Sequence, residues 1–230
     1  MIAVLAAGVL SPFFLEMTPE VRSAYQSLGK IVEDRPMQIT NIRFGYDAGA
    51  FGRIHQFAVN VYWRRGADYY SIPWHGTKEL DGGVLFTQAS HFVDMIHHFL
   101  GPVRRWKGFN GTHRGLDIPD TVSLAMEFEN GAVGTVNATV SVYGDDYMTE
   151  LTLIGEKGTV RLDGINMNRI AFWNVEGVEK PDLDFTITHQ YGLGHRKLYS
   201  FIAAGRWEMF PERDKLLSGI RVMESVGLGG

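Results

Sequence analysis

TVSLAMEFENGAVGTVNATVS, residues 121–141, decides the fold. Val122, Leu124, Met126 and Phe128 alternate with Thr121, Ser123 and Glu127, a period of two that gives a strand one apolar and one polar face. Glu129-Asn130-Gly131 follows at once. Asn-Gly supplies the positive φ angles of a tight hairpin, so Ala132 to Ser141 is predicted to fold back antiparallel. The same pattern extends both ways. Upstream, the odd positions from Phe57 to Trp63 are large and apolar. Downstream, Glu150 to Ile154, the turn Gly155-Glu156-Lys157-Gly158 and Thr159 to Leu162 form a second predicted hairpin, and Arg169 to Val175 one more strand. Sequential hairpins make a meander, hence a predominantly antiparallel sheet.

Three segments carry helical spacing. Leu85 to Leu100 is the strongest, Gly194 to Ala204 places Leu198, Phe201 and Ile202 on one face, and Arg213 to Val226 does the same with Leu216, Leu217, Ile220, Met223 and Val226. None of these sits in a strand–helix–strand alternation. The predicted class is therefore α+β, with helices packed on one face of the sheet. The other face, rich in Val and Thr, is left to be covered, and its alternation hints at a second subunit there.

Composition removes several classes. A net charge of −4 disfavours broad binding to nucleic acid or anionic membranes. With no cysteine there are no disulfides, thiolate metal sites or cysteine nucleophiles, which suits a cytoplasmic protein. The apolar opening run Met1 to Leu15 precedes the first basic residue, Arg22, and is interrupted by Pro12. It lacks the positive flank of a signal peptide and is too short for a membrane span, so it is expected to be buried.

Winding Leu85 to Leu100 at 3.6 residues per turn puts Leu85, Ala89, Phe92, Val93, Ile96, Phe99 and Leu100 in one stripe. Gln88, His91, Asp94 and His98 form a second stripe on the opposite side. A polar stripe is most often the solvated side of an amphipathic helix, and His97 and His98 are expected there. The alternative is a site. Asp94, three residues after His91, is near enough to orient or charge the ring, and the paired glycines of Asp81-Gly82-Gly83 let backbone approach a ligand closely. No third ligand at suitable spacing supports a metal.

Gly52-Arg53-Ile54, Tyr62-Trp63-Arg64-Arg65 with Asp68-Tyr69-Tyr70, Pro73-Trp74-His75-Gly76-Thr77 and Leu80-Asp81-Gly82-Gly83 form one continuous pattern. It runs on through Gln88-Ala89-Ser90-His91-Phe92-Val93-Asp94, Leu100-Gly101-Pro102-Val103 and Ile154-Gly155-Glu156-Lys157-Gly158-Thr159-Val160. This resembles the C-terminal domain of the Gfo/Idh/MocA oxidoreductases, and within them the UDP-N-acetylglucosaminuronate 3-dehydrogenases of O-antigen sugar pathways. The likeness covers about Tyr46 to Met223.

The resemblance implies NAD- or NADP-dependent oxidation of a sugar hydroxyl, with a nucleotide sugar as substrate and a homo-oligomer formed through the open sheet face. It places the general acid/base at His91, facing a sugar-sized cavity, and a substrate-binding amide at Gln88. It also implies that Tyr69, Trp74, His75, Thr77, Tyr191 and His195 line the sugar pocket. Arg64, with Arg65, would pair the diphosphate, since a guanidinium engages two oxygens at once. Relatives often carry Arg in place of His75 and Trp in place of Lys78.

No Gly-x-Gly-x-x-Gly follows a predicted strand, so a complete Rossmann domain is not expected in the chain. Residues 1–45 read as the end of such a domain and 46–230 as the substrate-binding and oligomerisation domain. Where the family has Glu-Lys-Pro, this chain reads Glu33-Asp34-Arg35-Pro36, and a guanidinium does not release its proton near neutral pH. Two functions follow as expectations: a sugar oxidoreductase with its cofactor half supplied elsewhere, or a non-catalytic relative serving as a sugar-binding or assembly module.

Overall fold

The computed structural model describes residues 49–165, 167, 169–180, 203, 205 and 213–227. The proposed Rossmann remnant at 1–45 and nearly all of the helix expected at 194–204 lie outside the described residues, as do Tyr191 and His195.

Seven strands form one sheet: β1 (Ile54–Tyr62), β2 (Val103–Gly111), β3 (Thr121–Phe128), β4 (Val133–Thr139), β5 (Met148–Gly155), β6 (Gly158–Asp163) and β7 (Arg169–Val175). Their spatial order is β2-β3-β4-β1-β5-β6-β7. Both predicted hairpins form, β3–β4 about the turn at Asn130-Gly131 and β5–β6 about Glu156-Lys157. The meander is interrupted once. β1 inserts between β4 and β5, antiparallel to β5 but parallel to β4. A single glycine permits that close parallel contact. Gly134 pairs with Phe57, and a Cβ at Gly134 would lie 2.1 Å from the Phe57 carbonyl oxygen.

The alternation read from the sequence sorts the two faces. Phe57, Val59, Val61, Val122, Leu124, Met126, Phe128, Val136, Leu151, Leu153, Val160 and Leu162 are buried. Against them lie α2 (Val84–Thr87) and α3 (Ser90–Leu100), with α1 (Ala67–Tyr70) preceding them in the chain. From α2 and α3, Leu85, Phe86, Ala89, Phe92, Val93, Ile96, Phe99 and Leu100 enter the same core. α4 (Arg213–Gly227) adds Val222, Met223 and Val226. Each such buried Val, Leu, Ile, Phe or Met side chain contributes about 1.5–3 kcal/mol relative to exposure.

The predicted helix Leu85 to Leu100 is two helices. Gln88 (φ −119°, ψ −39°) and Ala89 (φ −107°, ψ −2°) leave the helical path between α2 and α3. The apolar stripe survives the break, but the polar stripe does not remain one line. His97, expected on the wet face, is partly buried, and burial lowers its pKa. Among the described residues no helix is long and apolar enough to cross a membrane.

Candidate functional site

β1 and β4 finish, and β5 begins, at the same end of the sheet. Beyond Tyr62 the chain stays extended. The Trp63 and Arg65 amides donate to the Thr139 and Val140 carbonyls at 2.9 and 3.0 Å, and Val142 donates back to Trp63 at 3.2 Å. Extended chain alternates sides, so Trp63 and Arg65 share one side and Arg64 takes the other. Trp63 packs on the core and donates through Nε1 to Thr149 Oγ1 at 2.9 Å. Arg64 is exposed.

Arg65 is held on every side. Its guanidinium lies 5.0 Å from the Trp63 ring centroid and 5.6 Å from that of Tyr69. Nη1 donates to the Arg64 carbonyl at 2.8 Å and to Asp146 Oδ1 at 3.2 Å, while Nε donates to Gln88 Oε1 at 2.9 Å. Gln88 is itself buried, and its Nε2 donates to the Tyr69 hydroxyl at 2.9 Å. The interruption between α2 and α3 thus falls at the residue whose amide is clamped between Arg65 and Tyr69.

A turn built on a buried carboxylate supports this cluster. Asp81 is 4% exposed and accepts from the Gly76 amide at 2.8 Å, the Gly83 amide at 3.1 Å and the Thr87 hydroxyl at 3.3 Å. Gly76, Gly82 and Gly83 have φ of +79°, +73° and +93°, conformations that side-chain-bearing residues rarely adopt. Burial first, and then the Asp81 charge, raise the pKa of both neighbouring phenols, pushing Tyr70 to about 12.

Around Tyr69 the rings form a ledge. His75 stacks on it at 3.8 Å between centroids and 16° between planes, and Trp74 meets His75 edge-on at 3.9 Å. His75 Nδ1 lies 2.7 Å from the Tyr69 carbonyl oxygen, so that nitrogen carries the hydrogen. Thr77 donates to the Trp74 carbonyl at 2.8 Å, closing the loop that carries the ledge. Trp74 keeps 38% of its surface exposed, so the ledge offers an open aromatic face of the kind on which sugars and bases stack.

His91, on the first turn of α3, is partly exposed, with its ring tilted 51° against Phe92 at 4.5 Å. Burial drives its pKa down to about 4. The ring is therefore neutral near pH 7. In this state His91 can accept a proton but has none to give as an acid. A groove of about 410 Å³ lies between β2 and α4, lined by Trp106, Lys107, Phe109 and Val226, and does not include His91.

Of the residues singled out from sequence, the fold joins Gln88, Tyr69, His75, Trp74 and Thr77 through direct contacts. His91 stands three residues from Gln88 on the next helix. Arg64 does not enter the cluster by its side chain. Its backbone amide is capped by Asp146 Oδ1 at 2.6 Å, and Arg65 takes the inward position. Sequence reading missed Asp81, Thr87 and Asp146 as parts of the cluster. Asp81 had a local signal, an acidic residue directly before paired glycines, which marks a side-chain-capped turn.

The paired glycines form part of that turn. A Cβ on Gly83 would lie 2.9 Å from the Pro119 carbonyl oxygen, so a side chain there would press on that backbone. α2, which follows, is one turn long. Among the described residues, no group of three His, Asp or Glu side chains is placed to hold a metal.

A sheet covered on one face by helices, with a polar cluster and aromatic ledge at the strand ends, defines the class as an α+β domain. The chain belongs to the GFO/IDH/MocA family: its C-terminal domain matches residues 41–161. A solved relative, the WlbA dehydrogenase from Bordetella pertussis in complex with NADH and UDP-GlcNAcA, is 30% identical with a TM-score of 0.73 over 84% of this chain and 57% of that one. The WlbA dehydrogenase from Chromobacterium violaceum, also with NADH and UDP-GlcNAcA, is 27% identical, with a TM-score of 0.63 over 80% and 54% of the two chains. Levoglucosan dehydrogenase from Pseudarthrobacter phenanthrenivorans is 26% identical over 140 residues, 50% of this chain and 36% of that protein. The chain thus spans well under two thirds of the length of these relatives.

Proposed function

We propose that residues 46–230 form the sugar-binding and assembly half of an NAD- or NADP-dependent oxidoreductase acting on a nucleotide sugar. Residues 1–45 would be the end of its cofactor domain. The observation that carries this reading is the Gln88 amide, buried and clamped by Arg65 and Tyr69 beside an open aromatic ledge and three residues before a neutral imidazole. Buried polar groups are costly unless fully paired. A cluster this well satisfied, next to exposed aromatic surface, suits orientation of a polyhydroxylated ligand. Similarity to dehydrogenases solved with NADH and UDP-GlcNAcA supports the same assignment.

In this reading the ledge of Tyr69, His75 and Trp74 stacks the ligand, Gln88 donates to it, and His91 accepts the proton of the reacting hydroxyl. Arg64, exposed on the opposite side of the strand extension, is free to meet a diphosphate, and Tyr191 and His195 complete the pocket. The cofactor is held away from the described residues, and a second copy of the chain covers the open sheet face.

Calorimetric titration of the 230-residue chain with UDP-GlcNAcA, with and without NADH, tests the proposal. Saturable binding that NADH strengthens supports an oxidoreductase. Binding indifferent to NADH leaves a sugar-binding module, and no binding at millimolar ligand removes the reading altogether.

A further inference from the structure

Arg64 and Ser141 pair across an antiparallel bridge where the chain runs on beyond β1 and β4. Residues paired in this way project to the same side, their Cβ atoms about 5 Å apart. On that side the Ser141 hydroxyl accepts from Arg114 Nε at 3.1 Å, so two arginines from separate stretches of chain flank one serine. Both are pinned at the backbone. The Arg64 amide donates to Asp146 Oδ1 at 2.6 Å, and its carbonyl accepts from Arg65 Nη1 at 2.8 Å. The Arg114 amide donates to Asp120 Oδ2 at 2.8 Å, and Asp120 is 1% exposed. Both side chains are exposed. Among the described residues neither guanidinium enters an ion pair; Asp68 Oδ1 and Arg64 Nη2 border the same spot over Gly66 without pairing. The loop that carries Arg114 also reaches the loop of the aromatic ledge. A Cβ at Gly76 would lie 3.2 Å from both Leu116 Cδ2 and Tyr70 Cδ1.

We propose that Arg114, tethered by Ser141, joins Arg64 in holding the diphosphate of a nucleotide sugar whose sugar lies on the ledge. With Nε given to Ser141, Arg114 keeps both Nη groups, an end-on fork matched to two phosphate oxygens. A backbone fixed by a buried carboxylate and a side chain fixed at Nε leave little freedom to lose on binding. Two exposed positive charges side by side also repel modestly until an anion lies between them. This rests on the cluster being the sugar site proposed above, but Arg114 stands on a different loop, so the diphosphate site can hold or fail separately.

Calorimetry of the full chain with three probes is the test: UDP-GlcNAcA, inorganic pyrophosphate, and N-acetylglucosaminuronic acid free of nucleotide. Arg114→Gln should weaken UDP-GlcNAcA and pyrophosphate binding by about tenfold or more and leave the free sugar acid unchanged. Arg114→Lys, which keeps the charge without the fork, should recover only part of the loss. Ser141→Ala, which frees Nε, should cost about twofold to threefold. Were Arg114 merely a prop for its loop, Arg114→Gln would weaken all three probes alike and Ser141→Ala would cost as much. That result overturns the proposal, as does parental affinity for UDP-GlcNAcA in Arg114→Gln, or a parent that binds neither diphosphate. Pyrophosphate bound through Arg114 by a parent that does not bind UDP-GlcNAcA removes the proposed function and upholds the diphosphate site.

Discussion

The centre of the sheet and the cluster at its end are held by different physics. Where β1 meets β4, the constraint is space: backbone lies so near backbone that one carbon at Gly134 has no room. Around Gln88 the constraint is direction: each polar atom has a partner of the right sense, and volume matters less. The first region should forgive polar changes on its open face and no added atom. The second should forgive added atoms and no missing donor.

Gly134→Val is expected to have the largest effect. The new side chain meets the Phe57 carbonyl and ring, and the parallel pair must separate. The variant should lose cooperative urea unfolding altogether, whereas an unchanged midpoint would show that the close approach is not essential. Arg65→Met comes next. It keeps the stem but strands the buried Gln88 oxygen, at a cost of about 1–3 kcal/mol measurable from urea midpoints. If direction did not matter there, the shift would be near zero.

Gln88→Ala leaves Arg65 Nε and the Tyr69 hydroxyl without the partner between them, at a cost of about 1–2 kcal/mol, and should weaken UDP-GlcNAcA binding by about tenfold or more. Equal affinity would place the ligand elsewhere. The smallest effect belongs to His91. Its folded pKa of about 4 lies below the ordinary 6.5, so between those values the unfolded chain binds more protons. Stability contributed by the neutral ring is therefore present above about pH 6.5 and lost as pH falls toward 4. His91→Gln should flatten that part of the stability–pH curve, and an unaltered slope would show that the packing around the ring does not hold its pKa down.

The same division explains what could be read from the sequence. Strands β3 to β7 announced themselves because their apolar residues alternate and their turns are Asn-Gly or Gly-flanked. β2 did not, because VRRWKGFNG, residues 103–111, is an edge strand with charge and glycine where a buried strand would alternate. The parallel β1–β4 neighbour could not be read locally, since it depends on which strand the chain inserts between two others.

The apolar stripe of α2 and α3 was legible, while the break at Gln88 was not. No Gly or Pro marks it, and the contacts to Arg65 and Tyr69 lie 23 and 19 residues back in the chain. For the site, residue types were legible but adjacency was not. Strand parity at Trp63 turns Arg65 inward and Arg64 outward, a choice the doublet alone leaves open.

The central claim is that a sugar ligand meets the clamped Gln88 amide. It is tested most directly by NMR of the full chain with labelled Gln side chains, Gln88 assigned by its loss in Gln88→Ala, as UDP-GlcNAcA is added. The Gln88 side-chain amide should shift and saturate with the calorimetric binding curve. Saturable binding that leaves that resonance unmoved would contradict the account.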